Sequence, residues 1–595
     1  MGTRLPISMV RGAMMRRSCI PALFLLISPG LTGTAALADE SFRSRVVVCQ
    51  QADAASAGRE AMRRGGNAVD AAVATAVALA VTHPAAGNIG GGGFLVAYLA
   101  DSREVVTVDF RELAPKAATE TMYLGPDGRP APGHRAGPRA AGVPGTVRGL
   151  GLAHAKWGKL PWSDLIRPAS RLARDGFPIS ASLADSLNDQ LFPREAGGGG
   201  VVPEDLGPQG DRLADFAASV TAFRKPDGTR WCEGDRLVQP DLADTLERIA
   251  DRGPDEFYTG ITARKIVAHM EQMGGLVTSD DLAAYRAVVR PPIRGTFKGY
   301  EVYGMGPPAS GGILIVQMLN ILERYDLKAD GPRSPRTLHR VAEAMRRGFY
   351  TRATAIADLD FVEVPVDRLI SKAHADEIAR SIGDRATPSA QLAPFPILGP
   401  EGSDTTHLST LDAGGSAVAL TYTLEEGYGS KSIVAGAGFL LNNEMGDFNL
   451  IPGRTDSSGR IGTTPNRIQP GKRMLSSQSP TIAMKDGKVR LVTGSPGGRT
   501  IPNTTLWVTL NVLEFGMSPR EAVDAPRTHH PWFPDVLALE GQSWDPATRD
   551  SLTAMGHTLN FGGIQGDAHT IVVDGAGIIH GVADRRRRTA KAEGD

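Results

Sequence analysis

The chain has 595 residues, 41% of them hydrophobic and 22% charged, which is too apolar for a disordered polypeptide and long enough for several domains or one large α/β unit. Lys plus Arg and Asp plus Glu each number 65, so the formal charge is zero, which argues against a general nucleic-acid binder that must displace counterions from phosphate. Three cysteines exclude a disulfide-dense scaffold and a four-thiolate zinc site, while 70 Gly and 41 Pro mark a chain rich in turns.

In chain order, the first segment reads as a targeting address. Met14 to Arg17 ends in two arginines, Cys19 to Leu31 is mostly apolar, and Ala36-Leu37-Ala38 puts small residues where a signal peptidase reads. Cleavage is expected after Ala38, so residues 1–38 form a signal peptide. Pro21, Ser28, Pro29 and Gly30 break the apolar run, which therefore makes a poor membrane anchor. The mature chain is expected to be exported, periplasmic or secreted. In such a compartment Cys49 and Cys232 could pair, a question the sequence leaves open.

Val46 to Val48 reads as a strand, and Asp53 can cap a helix that runs to Arg64 and stops at Gly65-Gly66. Asn67 caps a second helix to Thr82, Ala-rich and carrying Asp70, which suits a buried helix. Gly90 to Gly93 precedes a predicted hairpin, Phe94 to Leu99 and Glu104 to Phe110. From Val147 to about Ala379 the pattern is mostly helical, with starts at Ser163, Pro240-Asp241, Gly260 and Ser334-Pro335, the last running through Tyr350. From Thr405 the period becomes two. Thr406 to Leu411 and Ala417 to Thr423 flank Asp412-Ala413-Gly414-Gly415, with further strands at Pro480 to Met484 and Val489 to Thr493. Helices at Thr500 to Phe515 and Pro519 to Ala525 follow, then strands near Thr570 and Ile578; Arg585 to Arg588 reads as a solvated basic tail.

No His-Glu-x-x-His and no Cys-x-x-Cys occurs among the twelve histidines and three cysteines, so nothing calls for a metal. His529-His530 suits structural roles better. Gly90 to Gly93 leaves a predicted helix and opens a predicted strand, the reverse of a nucleotide loop, and close backbone packing explains it better. Gly494-Ser495-Pro496-Gly497 approaches a serine-hydrolase elbow, with Asp524 and His529 following in order. It fails at Pro496, which has no N–H to give an oxyanion. Gly497 and Gly498 keep theirs and could serve another nucleophile. If Ala413-Gly414-Gly415 is a three-residue hairpin loop, Thr405 lies opposite Thr423 and two hydroxyls meet at a strand start. On spacing alone, an ordinary sheet surface offers the same pair.

Several strings together resemble the gamma-glutamyltransferase family: Gly65-Gly66-Asn67-Ala68-Val69-Asp70-Ala71-Ala72, Gly90-Gly91-Gly92-Gly93-Phe94, Asp109-Phe110-Arg111-Glu112 and Gly142-Val143-Pro144-Gly145-Thr146. So do Thr405-Thr406-His407, Leu441-Asn442-Asn443-Glu444-Met445, Leu475-Ser476-Ser477 and Gly494-Ser495-Pro496-Gly497-Gly498. They follow the family's order over nearly the whole mature chain, most weakly between about Leu187 and Trp231.

The resemblance implies an N-terminal-nucleophile hydrolase, an αββα sandwich made of two chains from one self-cleaved precursor. The cut would fall between Asp404 and Thr405, giving a large subunit 39–404 and a small subunit 405–595 that stay together. Thr405 would supply both nucleophile and base, through its hydroxyl and its freed α-amine, whose reference pKa is about 7.7 to 8.0. Thr423 would orient that hydroxyl, and the Gly497 and Gly498 N–H groups would hold the oxyanion. The substrates implied are glutathione and other γ-glutamyl amides, with water, an amino acid or a dipeptide as acceptor, and no cofactor.

By the same likeness, Arg111 would bind the substrate α-carboxylate, helped by Ser476 and Ser477. Asp447 and Glu444 would hold the ammonium, and Glu425 matches a position that is Asn or Glu among family members. A structural ion pair of Arg111 with Asp109 or Glu112 is the competing reading. Three carboxylates around one ammonium carry surplus charge, so one is expected to be protonated or paired elsewhere. Some members carry a lid tyrosine where counting places Ser458, within the Gly/Ser/Thr-rich stretch Pro452 to Pro465; water exclusion would then be weaker and hydrolysis favoured over transfer. A cephalosporin (glutaryl) acylase of the same fold is the alternative activity.

Overall fold

Alternation along the strands sets the architecture. Val46 and Val48 face one way and Val47 and Cys49 the other, and Phe94, Val96 and Tyr98 alternate with Leu95 and Ala97 in the same manner. Both sets are buried, which requires cover on both faces of the sheet. The computed structural model, which describes residues 40–128, 130, 133–193, 212–392, 404–451 and 464–595, supplies that cover.

Two seven-stranded sheets with antiparallel ladders stack face to face. One runs, edge to edge, Lys591–Gly594, Val46–Cys49, Asp404–Leu411, Ala417–Glu425, Gly92–Leu99, Glu104–Asp109, Val288–Arg290. The other runs Glu40–Phe42, Ile579–Val582, Thr570–Val573, Lys488–Thr493, Thr481–Lys485, Tyr300–Gly304, Ile293–Phe297. Phe94, Val96 and Ala419 of the first sheet meet Ile482, Val492 and Ile571 of the second in one core between them. A second core joins the outer face of the first sheet to the helices Ala52–Arg63, Ala68–Thr82 and Trp162–Asp175. A third joins the second sheet to Gly311–Leu322, Pro335–Ala355 and Ile501–Leu513. Three cores between four layers make the αββα sandwich.

The helix signals translate into local bonds. The Asn67 side chain accepts from Val69 N and Asp70 N while Asp70 answers to the Asn67 N–H, a capping box that starts a helix buried along its whole length. Asp53 is not the cap of the preceding helix. It sits in the first turn, and Gln51 is the N-cap without a side-chain bond. The helix expected at Ser163 starts at Trp162 after Pro161, and Pro335–Ala355 runs past Tyr350.

Two expectations need correction. The stretch read as mostly helical contains three strands of the two large sheets, Val288–Arg290, Ile293–Phe297 and Tyr300–Gly304, and a short two-stranded sheet of Phe177–Pro178 with Arg236–Leu237. The basic tail is no loose end: Arg586 bonds Glu540 and Asp584, and the chain continues into Lys591–Gly594, paired along Val46–Cys49. Cys49 is a free, buried thiol donating to Gln51 O at 3.2 Å, so it is not joined to Cys232. The expected signal peptide and Ser458 lie outside the described residues. Among the described residues no helix is long and apolar enough to cross a membrane.

Candidate active site

The hairpin that carries Thr405 is locked at its turn. Asp412 N donates to Ser416 O at 2.9 Å, and the Asp412 carboxylate accepts from Gly414 N and Ser416 N at 2.9 and 3.0 Å. That turn fixes the register all the way back, placing Thr405 opposite Thr423 with their hydroxyl oxygens 3.3 Å apart. One step further the ladder slips: Asp404 pairs with Glu425, so Leu424 is the extra residue of a bulge opposite the Asp404–Thr405 bond. Glu425 has φ of +85°, a conformation that non-glycine residues hold only when their surroundings impose it, and its N–H donates to Thr423 Oγ at 2.8 Å.

The glycine run presses on this hairpin. A Cβ at Gly91 would overlap the Thr423 carbonyl oxygen, so glycine there permits backbone contact. The segment opens the strand Gly92–Leu99, as the packing reading expected.

Thr405, Thr423, Arg111, Glu425, Glu444, Asp447, Ser476, Ser477 and Gly498 line one narrow cavity of about 40 Å³. Gly497 does not line it but adjoins Gly498; the two have φ of +125° and +52°, a turn that can aim successive N–H groups at one point. A wider groove, lined by Arg148, His154, Trp162 and Asp255, lies among outer helices and contains none of the expected site residues.

The serine-hydrolase constellation is not assembled. Ser495 is buried, donating to Pro496 O at 2.6 Å and accepting from Asp567 N at 2.8 Å. His529 faces Asn503 at 2.6 Å, and Asp524 lies 3.4 Å from Arg520. His530 lies 3.3 Å from Asp535. Both histidines are buried and structural, and burial lowers the pKa of each.

Arg111 is 1% exposed and anchors the polar end of the cavity. One guanidinium nitrogen is 2.7 Å from Glu444 and another 2.5 Å from Asp447, while Nε donates to Met474 O at 3.3 Å. Asp109 receives the Arg111 backbone N–H at 3.0 Å, and its other oxygen lies 2.7 Å from Arg290 and 3.3 Å from Arg473. Glu112 is 3.6 Å from the guanidinium. The nearest partners of Arg111 are thus the carboxylates expected on the ammonium, and the competing pairs with Asp109 and Glu112 are secondary. A substrate α-carboxylate entering here must exchange with them.

Crowding of acids has an electrostatic cost. Burial pushes the Glu444 carboxyl well above its usual range against the opposing pull of Arg111, with Glu112, Asp447 and Glu425 adding to the rise. Burial likewise pushes Glu112 up to about 8, opposed by Arg111 and reinforced by Asp447 and Asp109. Among the described residues neither oxygen of Glu112 has a hydrogen-bond partner, and Glu444 is close to Arg111 without bond alignment. Burial and mutual repulsion of the acids thus favour a protonated carboxyl at this end.

Sequence reading passed over three polar residues that line the cavity: Arg352, Gln478 and Arg499. Gln478 and Arg499 directly follow the noted motifs, so adjacency is a usable signal; Arg352, on the helix Pro335–Ala355, has none.

The family model described as Gamma-glutamyltranspeptidase matches residues 54–594. The chain is 42% identical to an Escherichia coli (strain K12) glutathione hydrolase proenzyme, over 91% of this chain and 90% of that protein. It is 37% identical to an acylase ACY 1 proenzyme of Pseudomonas sp. (strain SE83), over 86% and 87%. A cephalosporin acylase structure from Bacillus halodurans superposes with a TM-score of 0.80 at 24% identity, covering 96% of this chain and 99% of that one, which speaks to the fold.

Proposed function

The chain belongs to the gamma-glutamyltranspeptidase family, and from that premise we propose how its residues divide the chemistry. The protein is a γ-glutamyltransferase that hydrolyses glutathione and related γ-glutamyl amides through an acyl-threonine ester, formed after its precursor cuts itself. In the proposed scheme the cut falls between Asp404 and Thr405, separating 39–404 from 405–595. It follows export on a signal peptide ending at Ala38 into the periplasm or the medium.

Cutting that bond converts the Thr405 amide into an amine. The amine takes the proton of the Thr405 hydroxyl, whose oxygen attacks the γ-carbonyl carbon. The carbonyl oxygen turns toward the Gly497 and Gly498 N–H groups. Collapse expels the leaving amine with the proton returned from the Thr405 nitrogen. Water or an amino-acid or dipeptide amine then attacks the ester and restores Thr405. Thr423 orients the nucleophile. Arg111, Ser476 and Ser477 receive the α-carboxylate, and Glu444, Asp447 and Glu425 surround the ammonium.

The observation that carries this reading is one cavity in which the Thr405–Thr423 pair and the Arg111, Glu444 and Asp447 cluster meet. The acids beside Arg111 also favour a γ-glutamyl over a glutaryl donor, because only the former brings an ammonium to offset them. Comparing γ-glutamyl and glutaryl anilides tests that preference. For maturation, a denaturing gel should give two bands, the smaller beginning Thr-Thr-His-Leu. Thr405→Ala should stay a single polypeptide, and two bands from it would remove Thr405 from the cut.

A further inference from the structure

We propose that Gln478 binds the second peptide group of the substrate, the amide one residue beyond the scissile bond in a γ-glutamyl dipeptide, and so sets a preference for peptide over aryl leaving groups. The assignment rests on the γ-glutamyl reading of the site and adds a leaving-group contact to it.

Gln478 lines the cavity that holds Thr405, is 2% exposed, and has neither its amide oxygen nor its amide nitrogen bonded among the described residues. A buried amide in that condition carries an unmet desolvation cost that a ligand amide can remove. Gln317 is also buried and unbonded among the described residues, but it does not line this cavity. Position near the nucleophile is what separates the two.

The backbone beneath Gln478 is fixed. Its N–H donates to Ser476 Oγ at 3.2 Å, and Ser476 O accepts from both the N–H and the hydroxyl of Ser310 at 2.8 Å. A Cβ at Gly311 would overlap the Gln478 carbonyl, so the backbone at Gln478 lies tight on the start of the helix Gly311–Leu322. The side chain is therefore held against the cavity by a built support. The Gln478 N–H also occupies an acceptor position of Ser476, leaving the Ser476 hydroxyl proton to be donated elsewhere.

The charged and reacting groups of the γ-glutamyl donor already have partners in the proposed scheme. Arg111, Ser476, Ser477, Glu444 and Asp447 meet the two charges of the γ-glutamyl group, and Gly498 the reacting oxygen. A neutral group with one acceptor and two donors matches a neutral amide, which offers one acceptor and one donor. In a γ-glutamyl dipeptide that amide belongs to the leaving group, and in a dipeptide acceptor it occupies the same place. An aryl leaving group has no such amide and leaves Gln478 unbonded.

The test uses kcat/KM, which reports events up to release of the leaving amine and so retains leaving-group contacts. Mature Gln478→Leu and Gln478→Met enzymes are assayed with a γ-glutamyl dipeptide and a γ-glutamyl anilide in the same preparations. The ratio of dipeptide to anilide kcat/KM should fall roughly fivefold or more in both variants, the effect of one lost neutral hydrogen bond. Gln478→Glu, which keeps two acceptors, should recover part of the ratio at low pH, where it regains a donor. Equal losses for both donors, or an unchanged ratio, would overturn the assignment while wild-type turnover upheld the activity. Failure of the wild-type enzyme with both donors would instead overturn the γ-glutamyl reading and this contact with it.

Discussion

Thr423→Val is the sharpest probe of the hairpin, because it keeps the side chain's shape and removes only the hydroxyl. At least two bonds go with it: the 3.3 Å contact from Thr405 and the 2.8 Å acceptance from the Glu425 N–H. The first is long for an O–H···O bond, so it contributes about 0.5 kcal/mol, roughly twofold in rate. The second matters more. A buried N–H left without an acceptor costs about 1–3 kcal/mol, and here it belongs to a residue whose φ of +85° depends on that anchor. If the bulge opposite Asp404–Thr405 must be re-formed for the cut, that cost enters the barrier as roughly five- to 150-fold. Maturation of Thr423→Val should therefore slow at least about fivefold, whereas Thr423→Ser, which keeps both bonds, should stay within about twofold. The assay is the fraction of uncut precursor against time on a denaturing gel, with kcat measured on the fully cut fraction. Maturation of Thr423→Val at the wild-type rate, or of Thr423→Ser as slowly as Thr423→Val, would refute the orienting role.

Gly91→Ala should block maturation more severely, because its new methyl meets the Thr423 carbonyl oxygen rather than a yielding side chain; the gel reads it, and normal processing would contradict the packing argument. Glu112→Gln should change the pH dependence of stability. With its carboxyl pushed up to about 8, the native state retains a proton that the unfolded chain has lost above about 4.3. The stability from that proton is full below about 4.3 and is lost as pH rises toward 8. The denaturation midpoint of Glu112→Gln relative to wild type should thus rise from pH 5 to pH 8, and a pH-independent difference would count against a proton held there.

The legible parts of this molecule were those dictated by short-range bonds. Asn67 and Asp70 announce a capping box by type and spacing, and the Asp412 turn fixes a register from which the Thr405–Thr423 pair follows. Pro496 argues against one nucleophile by residue type alone, and Ser495 is engaged elsewhere. What stayed hidden depends on distant chain. Val288–Gly304 holds strands because neighbouring strands accept it, with Thr107 receiving Arg290 as partner and Gly304 flanked by Ile293 and Thr481. The mutual pairing of Arg111 with Glu444 and Asp447 was equally unreadable, since residues assigned to opposite charges of a substrate carry no sign that they meet each other first. Gln478 is an ordinary glutamine until the cavity beside it is known.

The strand order of the first sheet bears on what becomes of the two pieces after the proposed cut. The C-terminal strand Lys591–Gly594 lies outside Val46–Cys49, which itself lies outside the strand begun by the nucleophile, and Gly92–Leu99 flanks the hairpin on its far side. The fragments are woven through each other by three ladders of backbone bonds in this sheet and by two more in the second, Glu40–Phe42 with Ile579–Val582 and Tyr300–Gly304 with Thr481–Lys485. Pulling them apart means tearing the sheet, so dissociation and unfolding should be a single event, and dilution alone should never release a free small subunit.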